Sequence, residues 1–236
     1  NTGAAAADLT LFPHCEAVFD IVYNPARTAL LLQAEALGIP CFGGLSMLVA
    51  QAKKSSEYFT GKKIPDSEIG RIEKLLRREM LNVVLIGMPG CGKSTVGREL
   101  ARAMGREFAD ADEELVKKTG LPIPEFFRRY GEAAFREQET QVLKDLGKRS
   151  GLVLATGGGC VTRPENYPLL HQNGVIVWLR RNLSLLPRAG RPVSQAGDLG
   201  ELYRSRQPLY ERFADLAVDN SLPPLRTADA ILEAFA

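Results

Sequence analysis

The chain has 236 residues, 45% of them apolar and 25% charged, the balance of an ordinary globular protein with room for one large domain or two small ones. Thirty basic residues against 28 acidic ones leave a formal charge of +2, which removes any electrostatic case for nucleic acid or an anionic membrane as partner. Four cysteines (Cys15, Cys41, Cys91, Cys160) fall in no zinc-ligand or C-x-x-C spacing, and no apolar run has the length of a membrane span or the pattern of a secretory leader, so a cytoplasmic protein with reduced thiols is expected.

In chain order, residues 1–10 are small and weakly patterned, and are expected to be loose. A short apolar run, Ala17–Val22, is the one strand-like piece before residue 80. The turn Tyr23-Asn24-Pro25 follows, then a helical stretch from about Ala26 to Ala36 closed by Gly38. A second helix is predicted from about Ser46 to Tyr58. A third, capped by Asp66 or Ser67, carries Ile69, Ile72, Leu75 and Leu76 on one face down to Met80.

Near residue 80 the pattern changes to strands alternating with helices, which predicts an α/β domain with a parallel sheet over 81–236. Strands are expected at Val83–Ile86, Glu107–Ala109, Leu152–Ala155, Val175–Leu179 and Leu216–Val218. The clearest helices are about Glu132–Lys148, Leu199–Phe213 and Ala228–Phe235, with Thr227 placed to cap the last. The first strand runs into Gly87, and G-x-x-x-x-G-K-[ST] follows as Gly87, Gly92, Lys93 and Ser94 before a helical pattern opens. Glycines let successive backbone N–H groups turn inward on a phosphate, and the helix start adds its unpaired donors and positive dipole end. Lys93 suits the β/γ-phosphates of a nucleoside triphosphate and the Ser94 hydroxyl suits Mg²⁺.

Such a loop specifies the nucleotide and leaves the reaction open. Asp110-Ala111-Asp112 ends the next strand, where ligands collect in open α/β sheets, so one carboxylate suits water-mediated Mg²⁺ and the other a substrate hydroxyl proton; Asp112 can also cap the following helix. Arg136 and Glu139 share a helix face. Thr156-Gly157-Gly158-Gly159 closes another strand, implying close backbone approach to a ligand or a tight turn. Arg188-Ala189-Gly190-Arg191-Pro192 reads as a loop carrying two guanidiniums, suited to closing over phosphates.

The order GMPGCGKST, D-x-D, FRxxE, ATGGG, GRP and R-x-P-x-Y resembles shikimate kinase, a member of the nucleoside-monophosphate-kinase-like P-loop group, and the likeness covers residues 81–236 almost without gaps. The resemblance implies a five-stranded parallel sheet flanked by helices, and transfer of phosphate from ATP to the 3-hydroxyl of shikimate, giving shikimate 3-phosphate and ADP for aromatic amino acid synthesis. By the same resemblance, Gly90, Cys91, Gly92, Lys93, Ser94 and Thr95 wrap the ATP phosphates, with Ser94 and Asp110 at Mg²⁺. Asp112 accepts the hydroxyl proton and Arg136 and Arg206 clamp the substrate carboxylate. Gly157, Gly158 and Gly159 lie at the ring, and Arg191, as lid arginine, neutralises the transferring phosphoryl group together with Lys93. The lid is shorter than the family's, and Val193-Ser194 follows the proline where the family continues apolar, so no role is carried over to Arg188.

Residues 11–79 resemble the C-terminal piece of shikimate dehydrogenase, through Asp20-Ile21-Val22-Tyr23-Asn24-Pro25, Thr28–Leu31, Gly44–Ala52 and Phe59-Thr60-Gly61. That family's catalytic lysine and aspartate belong to a domain without a counterpart here, and residues 1–80 contain no G-x-G-x-x-G, so this segment is expected to be mostly helical and inactive by itself. The expectation is therefore a dehydrogenase–kinase fusion of which the present chain is the C-terminal portion, with domains at 1–80 and 81–236. Two other readings stand beside it: a different small-molecule kinase of the same fold, such as a gluconate or nucleotide kinase, and a catalytically silent ATP-binding module.

Overall fold

The computed structural model describes residues 5–186 and 199–235. The chain divides into two compact units, Asn1–Leu81 and Asn82–Ala236.

The first unit pairs two short parallel strands, β1 (Val18–Phe19) and β2 (Cys41–Phe42), across helix α1 (Ala29–Ala36). Thr28 starts α1: its hydroxyl oxygen accepts from the Leu31 N–H at 3.3 Å and its O–H donates to Asp20 Oδ2 at 2.6 Å. The core is small, with Leu9, Val18, Leu31 and Ala34 fully buried. The looseness expected of residues 1–10 is corrected at Leu9, which is buried in a 3₁₀ turn, Leu9–Leu11, capped by Asp8 and tied by its N–H to Gln33 Oε1. Strand β2 escaped the sequence reading because two residues carry no periodicity. Helix α2 (Leu45–Thr60) ends at Gly61, and α3 (Ser67–Met80) follows. Asp66 precedes α3 without capping it: its backbone is already helical, with φ −65° and ψ −24°, and its carboxylate accepts from Lys53 at 2.7 Å.

The second unit is a five-stranded parallel sheet in the order β4-β5-β3-β6-β7, with β3 at Asn82–Ile86, β4 at Phe108–Asp110, β5 at Val153–Ala155, β6 at Gly174–Arg180 and β7 at Leu216–Asp219. All five expected strands are present. Every residue of β3 is buried, as befits a central strand covered on both faces, and the edge strand β7 alternates half-buried and exposed. The helices are α4 (Lys93–Met104), α5 (Ala111–Thr119), α6 (Ile123–Gly147), α7 (Asn166–His171), α8 (Leu199–Phe213) and α9 (Pro224–Phe235). Helix α4 buries Val96, Gly97, Leu100 and Ala101, one stripe along its length, and α9 packs beside it.

Two helices differ from expectation. Helix α6 starts nine residues before Glu132 and breaks at Gly131, whose φ of 77° suits glycine, so the expected helix is its second half and Ile123–Tyr130 a first half that the sequence did not announce. Helix α9 begins at Pro224, which places Thr227 inside it; the Thr227 hydroxyl donates to Asn220 Oδ1 at 2.7 Å and caps nothing. Proline favours a helix's first position, and that moved the start forward.

The chain leaves β3 between its neighbours β5 and β6, having crossed to opposite sides of the sheet to build them. Beyond the carboxyl ends of these strands lies the switch-point crevice where open α/β sheets bind ligands.

Candidate active site

A cleft of about 860 Å³ opens at that crevice, lined by the glycine loop, the start of α5, both halves of α6, the triple glycine and α8. Gly87 follows β3 with φ 141°, a conformation that favours glycine, and a side chain there would also strike the Leu179 carbonyl and the Cys91 sulfur. Gly90 and Gly92 also have positive φ, 83° and 97°, and Gly92 is the N-cap of α4. Lys93 is buried, and its ammonium donates to the Gly87 and Met88 carbonyls at 2.8 and 3.0 Å. Gly90, Gly92, Lys93, Ser94 and Thr95 all line the cleft. Cys91 is fully buried, and its N–H donates to the Met88 carbonyl, so its side chain belongs to the core rather than to the cleft wall.

The Ser94 hydroxyl donates to Asp110 Oδ2 at 2.6 Å. Asp110 Oδ1 accepts from the Asp112 N–H at 3.0 Å, which makes Asp110 the N-cap of α5 and moves the capping role away from Asp112. A side-chain hydroxyl beside a carboxylate is the hard-oxygen donor set that Mg²⁺ takes together with water and substrate phosphates, so these residues fit that ion.

Asp112, in the first turn of α5, lines the cleft. A Cβ on Gly157 would fall 3.0 Å from Asp112 Oδ1 and would collide with Glu139 Oε1, so two carboxylates converge on one glycine. A Cβ on Gly159 would collide with the Arg136 guanidinium, and one on Gly158 with the Pro89 ring of the glycine loop at 2.7 Å. The three glycines thus serve close approach, and the wall they make is backbone.

Arg136 and Glu139 form an ion pair at 2.8 Å with Glu139 only 1% exposed, and Glu132 completes the fork at 3.1 Å. Burial pushes the Glu139 carboxyl up from its ordinary value against the opposing pull of Arg136. Burial alone would lower the Arg136 guanidinium, yet Glu139 and Glu132 leave it raised and so charged. The Arg136 Nε is buried with no partner among the described residues. Arg206, also buried, donates to the Gly158 carbonyl at 3.2 Å; Tyr210, one turn later on α8, donates its O–H to the same oxygen and stacks on Trp178. Two guanidiniums therefore border the triple-glycine wall. Arg188 and Arg191 lie outside the described residues.

The sequence reading missed some of the cleft. Asn220, buried at the end of β7, donates through Nδ2 to the Cys91 carbonyl and accepts from Thr227, holding the glycine loop from behind. A polar residue just past a strand's carboxyl end was its only signal. Phe127, Pro124 and Ile123 line the cleft from the first half of α6, and Arg181 from just beyond β6.

Known proteins resemble this chain over most of its second unit. The family model described as Shikimate kinase matches residues 89–236. A shikimate kinase of Burkholderia lata is 45% identical over 151 residues, 60% of this chain and 82% of that protein, and one of Bordetella avium is 41% identical over 156 residues, covering 62% and 75%. Among solved structures, shikimate kinase from Acinetobacter baumannii in complex with shikimate superposes with a TM-score of 0.62 at 36% identity over 68% of this chain and 96% of that one. The Aquifex aeolicus enzyme gives 0.58 at 34%, over 65% and 95%.

Proposed function

This chain belongs to the shikimate kinase family and phosphorylates shikimate with ATP, and we propose a division of labour among its residues. The glycine loop Gly90–Thr95 cradles the ATP phosphates through backbone N–H groups, and Lys93 leaves its carbonyl partners to meet the β/γ-oxygens. Ser94 and Asp110 would hold Mg²⁺, and the ion would supply charge screening for the phosphates. Asp112 accepts the proton of the shikimate 3-hydroxyl as that oxygen attacks the γ-phosphorus. Arg136 and Arg206 fork the substrate carboxylate, and Gly157–Gly159 face the ring. Arg191 joins Lys93 in neutralising the transferring group.

The observation that carries this reading is the convergence of Asp112, Arg136 and Arg206 on the triple-glycine wall, within the cleft that the glycine loop opens. Two cations at one end and a carboxylate near the phosphates suit a hydroxylated acid. The test is ADP release from the 236-residue chain with ATP–Mg²⁺, with shikimate, gluconate or nucleoside monophosphates as acceptors. Turnover with shikimate alone supports the reading. Turnover with another acceptor, or none in a chain that still binds ATP, overturns it in favour of a different kinase or a silent module.

We further propose that residues 11–79 are the C-terminal fragment of a shikimate dehydrogenase-like domain, without hydride transfer of their own, and that the rest of that dehydrogenase precedes them in the natural polypeptide. The motifs at Asp20–Pro25 and Gly44–Ala52 and the parallel β1–α1–β2 unit support this. Sequencing the source reading frame upstream of Asn1 tests it, and a start codon there sinks it. A cytoplasmic setting fits four free cysteines, two of them fully buried.

A further inference from the structure

Arg181 lines the cleft beside the glycine loop and has no place in the division of labour above. Strand β6 ends at Arg180, whose guanidinium lies over the Trp178 ring, 5.8 Å from its centroid. Successive side chains leave a strand on opposite faces, so Arg181 turns away from Arg180 and toward the glycine loop, which abuts β6 where the Leu179 carbonyl meets Gly87. The next residue, Asn182, closes a tight turn by accepting from the Ser184 N–H at 3.0 Å, and this pins the backbone from which Arg181 projects.

The Arg181 guanidinium reaches Gly92: a Cβ built on that glycine would lie 3.5 Å from Nη1. Gly92 is the N-cap of α4, and its loop N–H groups converge with the positive end of the helix dipole. Arg181 lines the cleft together with Gly92, Lys93, Ser94 and Thr95. Its Nε is buried and has no hydrogen-bond partner among the described residues. A cation held beside an electropositive loop, with a buried donor unmet, is a poor arrangement for the protein alone and a good one for an anion shared with that loop. The cleft's carboxylates Asp112 and Glu139 meet at Gly157, on the other side, and Asp110 is taken up by Ser94 and the start of α5.

We propose that Arg181 binds the phosphate chain of the nucleotide, as a second cation beside Lys93 from the outer side of the glycine loop. This rests on the kinase reading for the identity of the ligand, and on the position of Arg181 for its role. A planar fork of N–H donors suits phosphate oxygens better than the point charge of an ammonium, so lysine would replace arginine here only in part. The contact is made equally before and during transfer, so it acts on nucleotide affinity rather than on the chemical step.

The experiment is calorimetric titration of the wild-type chain, Arg181→Ala and Arg181→Lys with ADP, inorganic tripolyphosphate and shikimate, followed by steady-state kinetics. Arg181→Ala is expected to weaken ADP and tripolyphosphate alike by about tenfold, the effect of one charge-assisted hydrogen bond, and to leave shikimate affinity within twofold. Arg181→Lys is expected to recover part of the loss. In turnover, the fall in kcat/KM for ATP should reside in KM. Wild-type ADP affinity in Arg181→Ala overturns the proposal. Loss of ADP affinity without loss of tripolyphosphate affinity also overturns it, by moving the contact to the nucleoside. A parallel loss of ADP and shikimate affinity overturns it as well, by revealing a loosened cleft. Because direct ADP binding needs no acceptor, the result stands apart from whether wild-type chain turns over shikimate.

Discussion

Asp112 and Glu139 are both carboxylates at one glycine, and their surroundings give them different work. Asp112 sits in the first turn of α5 within the cleft, whereas Glu139 is buried and tied to Arg136. Asp112→Asn keeps the shape and removes the proton acceptor, so ADP affinity measured by titration should hold while turnover falls by about two orders of magnitude or more. Glu139 touches no substrate in the proposed arrangement and acts by orienting Arg136. Glu139→Ala leaves the buried guanidinium without its main counter-charge, and a loss of about 3–5 kcal/mol in denaturant unfolding is expected. KM for shikimate should rise well beyond any change in kcat, and Glu139→Gln, which retains one acceptor, should restore much of both. If both variants keep wild-type KM, Arg136 is positioned by something else. The spacing FRxxE put Arg136 and Glu139 on one helix face, but that such a pair is buried rather than solvated was not legible, because burial depends on what α6 packs against.

At the scale of elements, the helices approach one another at points where only glycine fits. Gly147 ends α6 against α7, and a Cβ there would collide with the Leu169 carbonyl. Replacing a helical glycine by alanine normally stabilises by up to about 1 kcal/mol. Here the obstacle is backbone and cannot rotate away, so Gly147→Ala is expected to lose about 1–3 kcal/mol instead, read as a lower denaturation midpoint with unchanged slope. A gain in stability would show that α6 and α7 can slide apart. The strands were legible element by element, since continuous apolar runs bounded by glycine or charge mark buried parallel strands. The helix boundaries were less so. Thr227 had the residue type of a cap and the Gly131 break had no apolar pattern to announce it.

Across the whole molecule, burial is uneven. The unit at 82–236 carries a contiguous core from Val83 to Ile231, while the unit before it rests on a few fully buried side chains around Leu31 and Ala34. Few buried contacts mean a low free energy of local opening. Amide hydrogen exchange should therefore be faster by orders of magnitude at Val18–Phe19 and Cys41–Phe42 than at Val83–Ile86, and equal protection in the two sets would contradict that ordering. Sequence by itself determined the parallel α/β class and the glycine loop, because apolar runs and G-x-x-x-x-G-K-S spacing are local and survive without coordinates, and the order of its motifs carried the resemblance to the family. Tertiary structure alone decided which polar groups serve the loop and which are buried: Asn220 reaches the Cys91 carbonyl from 129 residues away, Arg206 meets Gly158 from 48, and Arg181 meets Gly92 only because β3 and β6 are neighbours. Contacts of that span arise from sheet order and packing, which no local pattern of residue types encodes.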